Sequence, residues 1–140
     1  MRDIRIGAAQ FEHRNADKSY NLSVMKQLSA VAVDRGAEIV SFHEACIPAY
    51  TFLRGCSKTQ LLEIAEIIPD GPSTRKLIEM AREFKISILA GLLEKDDQIR
   101  NGNAMVIDPY GEIVAESNSF SDDVVVGLCL QVEFNFGFWI

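Results

Sequence analysis

Residues Ile86 to Leu93 read ISILAGLL, eight residues interrupted only by one serine and one glycine. A buried helix needs at least ~10–12 residues, so an apolar run this short fits a strand covered on both faces. Such a strand requires a layer on each side of its sheet. It therefore commits the chain to a layered α/β architecture.

The sequence before this run alternates strand-like and helix-like segments. Arg2 to Ala9 has period two, with Ile4, Ile6 and Ala8 on one face. Asn15 is placed to cap a helix reaching about Arg35. Its apolar stripe is Tyr20, Val24, Leu28 and Val31, with Gly36 just past its end. Ala37 to Phe42 reads as a second strand, and His43 to Gly55 as irregular chain. Ser57-Lys58-Thr59-Gln60 has the form of a capping box, opening a helix with Leu61, Ile64, Ala65 and Ile68 on one side. Pro69-Asp70-Gly71-Pro72 ends it. Ser73 is then the expected cap of a third helix, with Leu77, Ala81 and Phe84 inward.

The later part reads differently. Asn103–Asp108 and Glu112–Glu116 form two strands around Asp108-Pro109-Tyr110-Gly111, a type I turn pattern, hence an antiparallel hairpin. A polar loop over Ser117–Asp123 leads to a further strand, Val124–Leu130. Phe134 to Ile140 holds three Phe and the only Trp. The expectation is one α/β domain with a mixed sheet. There is no repeat and no linker.

Composition narrows the function classes. With 48% hydrophobic and 24% charged residues, a disordered chain is excluded. Fourteen Lys and Arg against twenty Asp and Glu give a net charge of −6. An acidic chain without a basic cluster is a poor partner for nucleic acid or an anionic membrane. No apolar run approaches the ~18–20 residues needed to cross a bilayer. MRDIRIGAAQ reads as a strand rather than a signal peptide. Three cysteines without a regular pattern argue for reduced thiols, so the expected location is cytoplasmic. On that reading the Asn21-Leu22-Ser23 triplet carries no glycosylation meaning. There is no CxxC, and His13 and His43 lie far apart without a ligand-spaced partner. No metal is expected. None of the nine glycines builds a phosphate-cradling loop, so no nucleotide cofactor is expected either.

Four residues are candidates for chemistry. Glu44 falls just past the second strand, flanked by Phe42, Ala45, Cys46 and Ile47. A carboxylate there would be partly desolvated, raising its pKa toward that of a general base. Position alone fits a surface loop glutamate better. Cys46 and Cys56 lie near enough in sequence to be nucleophiles, although free cysteine is more often a small core filler. Cys129 sits inside a strand-like run, which favours the core.

Taken together, four segments resemble the nitrilase superfamily of carbon–nitrogen hydrolases. Arg5-Ile6-Gly7-Ala8-Ala9-Gln10 resembles the family's first strand. Gly36 to Glu44 (GAEIVSFHE) is similar to the second-strand motif ending in the catalytic glutamate, with His43 where a Pro often stands. Ile86 to Glu94 resembles the next central strand, and Asn103 to Ile113 a family hairpin. In chain order they are spread over most of residues 3–127.

The resemblance implies an α-β-β-α sandwich, commonly paired into dimers, and a Glu-Lys-Cys triad. In that mechanism a thiolate attacks an amide or nitrile carbon and the glutamate is the general base. The lysine stabilises the tetrahedral intermediate, and a thioester is then hydrolysed. Only Glu44 carries over. After the hairpin the chain reads Glu116-Ser117-Asn118-Ser119-Phe120, without the family's lysine. Cys129 is followed by Leu130-Gln131, without the acid of the family's nucleophile motif.

The hairpin and the strand after it resemble the family's later hairpin, beyond the cysteine. The expectation is therefore a shortened or fragmentary carbon–nitrogen hydrolase domain over residues 1–128. Its central block is absent near 98–101, and a divergent aromatic tail follows over 129–140. Substrates would be small amides or nitriles if the chain is active. The alternative is a non-catalytic module pairing with a full-length relative, and a homo-oligomer is compatible with either.

Overall fold

The computed structural model describes residues 3–95 and 99–116. It contains β1 (Ile6–Ala9), α1 (Lys18–Asp34), β2 (Ile39–Phe42), a 3-10 turn at Thr51–Gly55, α2 (Lys58–Ile64), α3 (Pro72–Phe84), β3 (Ser87–Lys95), β4 (Ile99–Ile107) and β5 (Ile113–Glu116). The expected loop at Ser117–Asp123, the strand at Val124–Leu130, Cys129 and the aromatic tail lie outside the described residues.

The five strands form one mixed sheet in the order β1-β2-β3-β4-β5. β1, β2 and β3 run parallel; β3, β4 and β5 run antiparallel. Parallel neighbours need a crossover, and right-handed crossovers that advance in one direction put their helices on one face. α1 and α3 accordingly pack on each other and against the sheet. Between them and the sheet lies the core: Leu22 and Met25 of α1, Leu77, Met80 and Ala81 of α3, and Val40, Phe42, Ile88, Ala90, Leu92, Met105 and Ile107 of the strands. Burying each large side chain contributes roughly 1.5–3 kcal/mol.

The opposite face carries Ile6 and Ala8, both exposed, with half-buried Ile39, Ser41 and Leu89. The register aligns these residues as Ile6↔Ile39 and Ala8↔Ser41↔Leu89. Of the implied α-β-β-α sandwich, the described residues thus supply one helical layer and one sheet.

Several local expectations shift. Asp17, not Asn15, caps α1, its carboxylate accepting from the Tyr20 amide at 3.0 Å. The buried face of α1 is Asn21, Leu22, Met25 and Ser29, while Val31 is 42% exposed. Gly36 does follow the helix, with φ +78. The capping box of Ser57 and Gln60 is formed. α2 stops at Ile64, before Ala65 and Ile68, because Glu66 leaves the helix to bridge to β3. Its amide donates to Leu93 O at 2.8 Å, and Lys95 N donates to Glu66 O at 2.9 Å.

Gly71, not Ser73, caps α3, with Pro72 first in the helix, where its missing N–H costs nothing. The hairpin forms around Asp108, whose Oδ1 accepts from the amides of Tyr110 (2.9 Å) and Glu112 (2.8 Å). β4 starts at Ile99, earlier than expected, and pairs with β3 from Lys95↔Ile99 to Ile88↔Ile107.

Candidate active site

Glu44 lies two residues beyond the carboxyl end of β2, as the sequence implies. The strand order never reverses, so this is not the crevice of a doubly wound sheet. What defines the place is a tight elbow over residues 44–49. Ala45 and Ala49 adopt left-handed backbone (φ 45 and 77), and the Ala49 amide donates to Ala45 O at 2.9 Å. Each such residue costs of order 1–3 kcal/mol and persists only where its surroundings enforce it.

Four contacts enforce it. β3 presents Gly91, on which a Cβ would lie 2.7 Å from Ala45 N and 3.5 Å from the Glu44 carbonyl carbon. The Ile47 amide donates to Gly91 O at 3.4 Å. From α1 the fully buried Asn21 donates to Ile47 O and Arg14 O, both at 2.8 Å, and accepts from Arg14 N at 2.8 Å. Ala16 N adds a bond to Pro48 O at 2.9 Å.

Ala45 to Ala49 are buried by this arrangement, and Glu44 is left exposed at the outer corner. The expected desolvation of the carboxylate is therefore absent. The backbone turns inward immediately after Glu44 and takes the following side chains with it.

The thiols are equally constrained. Cys46 is fully buried, and its Sγ donates to Gly91 O at 3.6 Å. Burial pushes the thiol up to about 11, which the backbone hydrogen bonds only moderate. A thiol of that kind is a core group rather than a nucleophile. Cys56 is half-buried, its Sγ 3.5 Å from Phe52 O.

The structure brings together two residues the sequence separates. The rings of His13 and His43 lie 5.2 Å apart, and Phe11 stands 5.0 Å from His43 and 6.4 Å from Phe42. His43 Nδ1 lies 3.1 Å from Glu44 O, while its Nε2 is buried without a hydrogen-bond partner among the described residues. Among those residues no group of three or more His, Cys, Asp or Glu is spaced to hold a metal, and no helix is long and apolar enough to cross a membrane.

A second polar cluster lies in the interior. The Glu66 carboxylate accepts from Lys18 Nζ (2.6 Å), Ser73 Oγ (2.6 Å) and Ser73 N (2.7 Å), and Lys18 also donates to Ile64 O. Burial pushes the carboxyl up, but the bonds from Lys18 and Ser73 outweigh it and hold it below its ordinary value. This cluster joins α1, α2, α3 and β3, and it explains why Ser73 is not a cap.

Sequence reasoning missed Asn21 and Gly91. Both left a signal: an amide on the inward side of an amphipathic helix, and a glycine inside an apolar strand, which marks close backbone approach.

Comparison with known proteins bears on the same stretch. The carbon-nitrogen hydrolase family matches residues 5–102. A nitrilase from Pyrococcus abyssi is 29% identical over 110 residues, covering 79% of this chain and 41% of its own length. An aliphatic nitrilase from Rhodococcus rhodochrous is 26% identical over 120 residues, 80% of this chain and 33% of that one. The crystal structure of an amidase from Nesterenkonia sp. shares the fold, with a TM-score of 0.63 at 23% identity over 81% of this chain and 41% of its own. The chain thus spans well under half the length of these relatives. The family match runs through more than half of the chain, from β1 past the Glu44 elbow into β4, and the chain belongs to the carbon–nitrogen hydrolase family.

Proposed function

We propose that Glu44 is the general base of a nitrilase- or amidase-type site, and that this chain alone turns over little or no substrate. The observation carrying the reading is the elbow: a solvent-facing carboxylate on a strained, fully braced turn at the end of β2, inside the family match. Strain braced in this way is characteristic of functional turns.

The second half of the proposal rests on the thiols and the lysine. Cys46 is buried and protonated, and the segment after β5 lacks the lysine that the family resemblance calls for. A central block carrying lysine and nucleophile is missing near residues 98–101; in support, the family match ends at residue 102. Substrates of the parent activity would be small amides or nitriles, hydrolysed through a thioester in a cytoplasmic enzyme.

The test is hydrolysis of small aliphatic amides and nitriles by the purified chain, beside Glu44→Gln and Cys129→Ala. Turnover no greater than that of either variant is expected. Turnover that disappears in both would overturn the claim of inactivity while upholding the role of Glu44.

A second reading is a non-catalytic module that pairs with a full-length relative. The open sheet face favours it, since Ile6 (65% exposed), Ala8, Ile39, Ser41 and Leu89 form a surface that is apolar but for one serine hydroxyl. Size-exclusion chromatography showing only a monomer, with no co-purifying relative, counts against it.

A further inference from the structure

We propose that His13 and His43 form a two-imidazole site for a borderline divalent cation such as Zn2+ or Cu2+, beside Glu44. The two rings come from the segments that follow β1 and β2, adjacent parallel strands, and their centroids lie 5.2 Å apart at an interplanar angle of 44°. An ion holding two imidazoles tetrahedrally, with metal–nitrogen bonds of about 2.0–2.1 Å, sets the ring centroids about 5 Å apart.

The tautomer of His43 follows from its neighbour. Nδ1 faces Glu44 O at 3.1 Å, and a carbonyl can only accept, so Nδ1 carries the proton. In the neutral ring Nε2 then holds the lone pair, and it is buried with no hydrogen-bond partner among the described residues. A neutral imidazole whose far N–H is anchored on a backbone carbonyl is the arrangement found in metal-bound histidine. Coordination through Nε2 would break no hydrogen bond.

The surroundings suit a cation. Glu12 precedes His13 and Glu44 follows His43, both exposed, while Arg14 on the other side of His13 turns to Asp17 (4.0 Å) and the Tyr20 ring (3.7 Å), and the chain carries a net charge of −6. The family resemblance often has Pro where His43 stands, so the site is a property of this chain rather than of the pattern.

The experiment titrates Zn2+ into the tag-free chain at neutral pH by calorimetry. Electron paramagnetic resonance of the Cu2+ complex then counts nitrogen donors. Expected are one ion per chain, two nitrogen donors on Cu2+, and binding at least tenfold weaker in both His13→Gln and His43→Gln. Cys56→Ser should bind as the parent does. His13→Gln, in a loop, keeps the test decisive if His43→Gln fails to fold. Absence of binding, parental affinity in His13→Gln, or loss of binding in Cys56→Ser instead would overturn the proposal. Catalytic activity is not among these readouts, so the result stands apart from the assignment of Glu44.

Discussion

The amide of Ile47 donates to the carbonyl of Gly91 across 3.4 Å, tying the turn that carries Glu44 to the neighbouring strand. Gly91 can serve because it has no side chain: a Cβ there would reach within 2.7 Å of Ala45 N, and backbone cannot give way as a flexible side chain would. Gly91→Ala should therefore destabilise the protein by about 1–3 kcal/mol. Urea unfolding measures this. A midpoint equal to that of the parent would show that the elbow has room to spare.

Asn21 holds the same turn from the helix side. Asn21→Ala removes two bonds to carbonyls and one from the Arg14 amide, and leaves Ile47 O buried without its partner. Each buried group left unpaired costs ~1–3 kcal/mol. Loss of stability at that level is expected in thermal or urea unfolding, with Asn21→Leu no better, because an apolar side chain leaves the same groups unpaired.

How much of this was legible depends on whether a signal was local. The strand at Ile86–Leu93 and the Ser57–Gln60 box were readable because pattern and partner lie within a few residues. The stripe of α1 shifts because a count of apolar residues passes over Asn21, although its carboxamide is what the core needs there. α2 ends sooner than its apolar stripe implies for a non-local reason: Glu66 bonds to Leu93 and Lys95, and nothing near it in sequence announces this. Glu44 was found where expected, but not as buried as expected, since exposure depends on what packs over the site. The closeness of His13 and His43 came from parallel pairing of β1 and β2, which no spacing between the two residues encodes.

Glu66 makes a prediction in pH. Its carboxyl lies below its ordinary value of 4.5 in the folded chain, so it binds its proton less readily there than when unfolded. Its contribution to stability is present above about 4.5 and is lost as pH falls through the folded value. Glu66→Gln keeps the shape but gives up the charge-assisted bonds to Lys18 and Ser73. It should cost about 1–3 kcal/mol at pH 7 and flatten the acid side of the stability curve. Denaturant midpoints between pH 3 and 7 test this, and an unchanged acid limb would contradict it.

The two described thiols should differ in reactivity. Half-buried Cys56 should alkylate with iodoacetamide at pH 8, while Cys46, fully buried and titrating near 11, should resist until the chain unfolds. Peptide mass mapping after timed labelling separates them. Labelling of Cys46 as fast as Cys56 would mean that the elbow opens readily.

We propose that the chain keeps the glutamate of a carbon–nitrogen hydrolase site but lacks a competent nucleophile. The most direct measurement is the intact mass of the pure chain after incubation with a small aliphatic amide or nitrile and an acid quench, which preserves thioesters. The account predicts the unmodified mass, with no acyl group on Cys46, Cys56 or Cys129. An acyl adduct on one of these cysteines that forms in the parent and fails to form in Glu44→Gln would contradict it.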